Sequence, residues 1–71
     1  MISNEKIIRF CEKTKLLSRK PNNNSLLEAM KMDIDFGIFL KEAMKQGMNF
    51  DSCQDFLSCF HSFANGLNGP S

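Results

Sequence analysis

The segment over residues 26–46 constrains the fold most, because it contains no proline and carries apolar side chains on two flanks. In a helix, successive residues lie about 100° apart around the axis. One flank then holds Leu26, Leu27, Met30, Ile34, Ile38 and Met44. The other flank holds Met32, Phe36, Phe39, Leu40 and Ala43. A helix that is apolar on two flanks needs two neighbours, so the segment is predicted to be the middle helix of a bundle or to lie at a dimer interface.

Sequence signals mark both ends of this predicted helix. Ser25 and Glu28 have the spacing of a capping box at its start. Gly47 follows its last residue, at the position where a left-handed glycine closes many helices. These signals predict one helix over residues 26–46.

A strand-like alternation of apolar and polar residues between Met30 and Ile38 weakens the prediction of a single helix. A straight helix would also place Asp33 among apolar side chains. The alternative is therefore a helix that is kinked or broken near residues 33–35, with Asp33 or Asp35 as the cap of a second, shorter helix.

Amphipathic patterns predict one further helix on each side of this segment. The first covers about residues 4–18 and begins at a cap formed by Ser3 or Asn4. Its buried stripe consists of Ile7, Phe10, Cys11, Thr14 and Leu17. The last covers about residues 52–65, and its buried face consists of Cys53, Phe56, Leu57, Phe60, Phe63, Ala64 and Leu67.

Several residues are candidates for the boundaries of the last helix. Asp51 is the preferred cap, with Asn49 and Ser52 as alternatives, and Asn65-Gly66 is predicted to end the helix. The chain is thus predicted to be all-α, a small three-helix bundle over residues 1–67. Residues 68–71 are predicted to be a disordered tail.

Length and cysteine usage limit the setting in which such a chain works. A chain of 71 residues buries only about 60% of its unfolded surface, which favours self-association. Three cysteines do not make a disulfide framework, and the start of the chain does not resemble a secretory signal. A reduced, cytoplasmic setting is expected. The alternative interpretation is that the sequence is a domain excised from a longer chain.

The cysteine, histidine and carboxylate spacings do not predict a reaction or a metal site. On a helix, Cys53 and Cys59 point about 120° apart, and Cys59 and His61 face nearly opposite sides. The four converging ligands of a zinc site are therefore not available on this helix. No catalytic residue, metal ligand or cofactor is predicted, and the chain is not expected to be an enzyme.

Basic residues concentrate near the start of the chain, whereas the predicted last helix has no Lys or Arg and carries Asp51 and Asp55. Because a helix that reads DNA must meet phosphates, this argues against a DNA-binding role for the last helix. A nucleic-acid-associated regulator that uses the first helix is the alternative function. Its basic face would consist of Arg9, Lys13, Lys15, Arg19 and Lys20. The modest apolar stripe of that helix argues against membrane binding.

Seven phenylalanines, without tyrosine or tryptophan, are many for a short chain. Either they fill the core or some of them form an exposed apolar patch. The lead hypothesis is a non-enzymatic interaction module, an adaptor, inhibitor or regulator that binds another protein or itself as a homodimer. The predicted contact residues are Phe36, Phe39, Leu40, Met44 and Phe50.

Overall fold

The computed structural model describes the backbone of residues 2–68 and the side chains as far as residue 66. This part of the chain forms four α-helices and no strand. They are α1 (Asn4–Thr14), α2 (Asn23–Met32), α3 (Ile34–Gln46) and α4 (Cys53–Asn68). The predicted all-α class is confirmed, but the predicted number of three helices is wrong. Of the predicted tail at 68–71, residue 68 ends α4 and residues 69–71 lie outside the described part.

The predicted middle helix is broken at Asp33, as the alternative interpretation allowed. Asp33 has an extended backbone, with φ −168° and ψ 133°, so α2 cannot continue into α3. Its side chain accepts a hydrogen bond from the Phe36 N–H at 3.1 Å and so caps α3. The break resolves the conflict in the sequence, because Asp33 leaves the apolar arc and becomes a cap.

The first helix ends earlier than predicted, at Thr14 and not at residue 18. Ser3 caps its start, as one of the two predicted candidates, and accepts a hydrogen bond from the Lys6 N–H at 3.3 Å. Lys15 is left-handed, with φ 54°, and its N–H donates to carbonyls of the last turn. Because the helix stops there, Leu16 is buried, whereas the predicted Leu17 is exposed.

The predicted cap of α2 is wrong, and the cap of α4 is one of the two alternatives and not the preferred residue. Asn22, not Ser25, caps α2, and the two side chains form a reciprocal capping box in which Ser25 is the third helical residue. Ser52, not Asp51, caps α4, and its Oγ accepts from the Asp55 N–H at 3.1 Å. The last helix runs through the predicted Asn65-Gly66 stop to residue 68.

The core is built around a connected network of phenylalanine rings. Phe36 packs edge-to-face against Phe10 of α1, with ring centroids 4.9 Å apart, and against Phe56 and Phe60 of α4. Phe39 adds contacts that extend the network to Phe50 and Phe63. All the phenylalanines are buried except Phe63, which is half-buried, so the interpretation that they fill the core is confirmed.

Packing follows the order α2 on α3, α3 on α4 and α4 on α1. The third helix therefore lies between α2 and α4, while α1 packs on α4 and also places Phe10 against Phe36 of α3. None of the helices within residues 2–68 is both long and apolar enough to cross a lipid bilayer.

Candidate functional site

Five large apolar side chains on α2 and α3 remain exposed although most of the phenylalanines are buried, and the least exposed of the five is Met32, at 38%. Ile34 is 75% exposed, Leu27 57%, Met30 54% and Ile38 43%. We call these four residues the α2–α3 apolar face. Single exposed aliphatic side chains are ordinary, but a group of them on neighbouring helices marks a surface suited to binding.

Helix geometry and one glycine make this face continuous. Ile34 and Ile38 are four residues apart and so lie on the same side of α3. Gly37 is buried on that side, and an ideal Cβ at this position would be 2.6 Å from Met30 Cγ. Met30 therefore lies directly over Gly37, next to the two isoleucines, and Leu27 is one turn earlier on α2.

Exposed lysines surround the α2–α3 apolar face. Lys41 and Lys45 continue the Ile34 side of α3, within about 20° of its direction, and Lys31 lies one turn after Leu27 on α2. Lys45 approaches Glu42 at 3.9 Å, but both side chains reach solvent, and such ion pairs are weak. The rim of the face thus carries three exposed lysines, whereas the carboxylates nearest to Ile38 on α3, Asp35 and Glu42, are half-buried.

The predicted contact residues do not form an exposed surface. Phe36, Phe39, Leu40 and Phe50 are core residues, and Met44 is half-buried. The reason is that the phenylalanines of residues 26–46 pack against α1 and α4, while most of the aliphatic flank is left outside. Whether any of these five residues contacts a partner stays a prediction. The aromatic character of these residues could have indicated the core, because large rings gain most from burial.

The predicted basic face divides into two parts. Arg9 pairs with Glu5 at 2.6 Å on the exposed side of α1. The other four cations line one cleft of about 260 Å³ between the end of α1 and the start of α2. They are Lys13, Lys15, Arg19 and Lys20. Glu28, which approaches Lys13 at 3.7 Å, is the only carboxylate that lines the cleft.

A second cavity is a mostly apolar groove of about 490 Å³ between α3 and α4. Phe39, Met48 and Phe63 form its apolar wall, and Cys59 lies within it. Its volume is in the range of small-molecule sites. Its lining contains Glu42 as the only charged group, so it has few groups that would orient a polar ligand.

Cys11 and Cys53 come together where α1 meets α4, and both line a small cleft there. Burial, with smaller contributions from the charge and hydrogen bonding of Cys53, raises the pKa of the Cys11 thiol to about 12. Cys59 is separate from this pair: burial and the nearby Asp55 carboxylate raise its pKa, and its thiol lies 3.9 Å from that carboxylate.

His61 makes a contact between helices. Its Nε2 lies 2.7 Å from the Asn4 side-chain oxygen, so it joins α4 to the start of α1. Within the described side chains, no three or more His, Cys, Asp or Glu residues are arranged to hold a metal ion.

Comparisons with protein-family models, with curated proteins and with solved structures find no match for this chain. Function is therefore inferred from the surfaces described above.

Proposed function

We propose that this chain is a small non-enzymatic interaction module that binds a helix of another protein through the α2–α3 apolar face. The observation that carries the proposal is the exposure of Leu27, Met30, Ile34 and Ile38 on one side of a bundle that buries its phenylalanines. A partner helix with apolar residues spaced three and four apart would cover these side chains and remove them from water. An adaptor, an inhibitor and a regulator would all bind in this way.

The charge around the face favours an acidic partner. Lys31, Lys41 and Lys45 would meet carboxylates on the flanks of a bound helix, which would speed association and select the partner. A symmetric homodimer would bring the same rim from both copies to one interface, so the exposed lysines of each copy would not meet a matching set of exposed carboxylates. Self-association is therefore the alternative that the charge pattern opposes, and an acidic amphipathic helix is the favoured occupant.

The proposal includes a reducing, cytoplasmic setting. It is supported by the cysteines Cys11, Cys53 and Cys59, all of which are free thiols.

The test uses designed helical peptides as probes. One peptide carries leucines on one face and glutamates on its flanks, and a second has lysines in place of the glutamates. We expect the acidic peptide to bind more tightly and to perturb the amide resonances of residues 27–38. Replacing Ile34 or Leu27 by Gln should weaken binding about tenfold, because each change removes roughly 1 to 1.5 kcal/mol of buried apolar contact.

Leu17→Gln is the matched control, because Leu17 is 40% exposed but lies after α1, away from the face. It should leave peptide binding unchanged. Equal binding of both peptides, or perturbations centred on the α3–α4 groove, would contradict the proposal. Light scattering that shows a dimer disrupted by Ile34→Gln would assign the face to self-association. Binding to anionic vesicles that competes with the peptide would assign it to a membrane surface.

A second candidate function is binding to a phosphate-bearing ligand such as single-stranded nucleic acid, and the basic cleft favours it. Four cations converge there around one carboxylate, and the cleft borders the N-terminal end of α2, where the helix dipole favours anions. In this second function, the contact surface consists of the first helix and the turn that follows it, and it does not include Arg9.

The test for this second function is the salt dependence of oligonucleotide binding. Arg19→Gln combined with Lys20→Gln should weaken binding and flatten the dependence on salt, because two phosphate contacts are lost. Arg9→Gln removes the same charge outside the cleft and should have a smaller effect. Absence of binding at low salt, or an equal effect of Arg9→Gln, would exclude the cleft as the site.

A further inference from the structure

Two of the three cysteines are distant in sequence and adjacent in the fold. Cys11 is buried on α1, whereas Cys53, the first residue of α4, is half-buried. Both line one cleft at the surface, together with Glu12 of α1 and with Lys15, Leu17 and Ser18 of the turn after α1. The packing of α4 on α1 thus creates a thiol pair that is open to solvent on one side.

The third cysteine does not belong to this pair. Cys59 lies in the α3–α4 groove, and its thiol hydrogen-bonds to the Asp55 carboxylate at 3.9 Å. The cleft that holds the pair has different lining residues from that groove. Cys59 is therefore an internal control for any reaction of the other two thiols.

We propose that Cys11 and Cys53 form a redox-sensitive dithiol site, which a small disulfide such as oxidised glutathione converts into an intramolecular disulfide. Cys53 reacts first, because it is half-buried whereas Cys11 is buried. Thiol–disulfide exchange needs only a thiolate, an accessible disulfide and a second thiol within reach.

The reaction proceeds in two exchanges. In the first, Cys53 gives its proton to solvent, and its thiolate attacks one sulfur of oxidised glutathione. The glutathione S–S bond breaks, and one glutathione leaves as a thiolate that takes up a proton. In the second, Cys11 loses its proton and attacks the Cys53 sulfur, and the second glutathione leaves in the same way. Two protein thiols are oxidised, and one glutathione disulfide is reduced to two glutathione thiols.

The environment of Cys11 determines which exchange is slow. Burial is the largest cause of the raised pKa of the Cys11 thiol, and it persists when Cys53 carries glutathione, whereas the contributions of the Cys53 thiol do not. The pKa of Cys11 in the mixed disulfide therefore stays above its ordinary value, and little Cys11 thiolate exists at neutral pH. The mixed disulfide on Cys53 should therefore accumulate before it closes. Its closure rate should rise about tenfold per pH unit over the range below that pKa, as the thiolate fraction rises.

The disulfide would join α1 to the start of α4 and enclose α2 and α3 between its ends. Such a long closed loop restricts the unfolded chain, and this raises stability. The oxidised protein should accordingly unfold at a higher urea concentration than the reduced protein, with its helical content unchanged.

The test is incubation of the full 71-residue chain with oxidised glutathione, followed by acid quench, alkylation of the remaining thiols and intact mass spectrometry. We expect a transient glutathione adduct, then a product without glutathione that has one alkylatable thiol. Chymotrypsin cleaves after Phe56, which separates Cys53 from Cys59, so the digest should show Cys11 linked to the peptide that contains Cys53.

Three variants make the assignment. Cys59→Ser should close as the unchanged protein does. Cys11→Ala should stop at the glutathione adduct, and Cys53→Ser should not close. Circular dichroism establishes that each variant is folded; if Cys11→Ala unfolds, Cys11→Ser replaces it. A stable adduct on the unchanged protein, a link through Cys59, or disulfide-linked dimers at low protein concentration would overturn the proposal.

Discussion

Gly37 sets how closely α2 approaches α3. An ideal Cβ at this residue would lie 2.6 Å from Met30 Cγ and 3.0 Å from Met30 Cα, and the second of these atoms belongs to the backbone. A backbone atom cannot move aside as a flexible side chain can. The absence of a side chain at position 37 therefore allows α2 to pack close enough for Met30 and Ile38 to share one surface.

We expect Gly37→Ala to destabilise the fold. Overpacking costs about 1 to 3 kcal/mol, and the better helix propensity of alanine recovers only about 1 kcal/mol. The net loss should be about 1 kcal/mol, measured by urea denaturation. Gly66→Ala is the matched control, because Gly66 is also helical and nothing lies within 4 Å of an added Cβ. It should stabilise by up to about 1 kcal/mol, and an equal effect of both changes would refute the role of close packing.

Lys15 has a backbone conformation that glycine adopts more easily. Its φ is 54°, and Gly47 closes α3 with a similar φ of 65°. We expect Lys15→Gly to stabilise the protein by about 1 kcal/mol and Gly47→Ala to destabilise it by a similar amount, since nothing lies within 4 Å of an added Cβ at Gly47. The shift in the urea midpoint measures both. Stabilisation by Gly47→Ala would show that this backbone conformation is not the cause.

At the scale of the elements, the break at Asp33 decides the architecture. One residue ends α2, caps α3 and turns the chain so that the two helices pack on each other. The carboxylate of Asp33 satisfies the Phe36 N–H, which would otherwise lack a partner within α3.

We expect Asp33→Ala to destabilise the protein by about 1 kcal/mol, because the cap of α3 is lost. Asp33→Asn keeps an acceptor oxygen at the same position and should cost much less. Thermal unfolding followed by circular dichroism compares the two variants. If both lose the same stability, the charge of the carboxylate matters and not its hydrogen bond to the Phe36 N–H.

At the scale of the whole molecule, the phenylalanine network ties three helices and the connection before α4 into one core. Phe39 contacts four other rings, those of Phe50, Phe56, Phe60 and Phe63. Ile34, five residues earlier on the same helix, is the most exposed of the large apolar residues. The two side chains thus represent the stabilising core and the candidate binding surface.

We expect Phe39→Ala to cost about 3 to 5 kcal/mol, a large part of the roughly 4 to 10 kcal/mol that stabilises a domain of this size. Ile34→Ala should change stability by less than about 0.5 kcal/mol. Denaturant unfolding measures both. If Phe39→Ala loses little stability and weakens partner binding, Phe39 is a contact residue, as the sequence first predicted.

The sequence left the cap of α1 open between Ser3 and Asn4. By itself it determined the all-α class, the end of α3 at Gly47, and the face of the last helix that packs on the core as far as Ala64. These features depend on local hydrogen bonds and on helical periodicity, which neighbouring residues encode. The sequence also showed the two apolar flanks of residues 26–46 and the charged Asp33 among apolar positions. Local pattern could not decide whether this segment forms one helix or two.

Only the tertiary structure decided which apolar flank is buried and which distant groups meet. The phenylalanine flank lies in the core because α1 and α4 supply rings that it can pack against. The α2–α3 apolar face on the aliphatic flank is left exposed because no described element covers it. The pairing of Cys11 with Cys53 likewise depends on the packing of α4 on α1. Such contacts join residues far apart in the chain, and their free energy depends on the whole arrangement of helices, which no short stretch of sequence specifies.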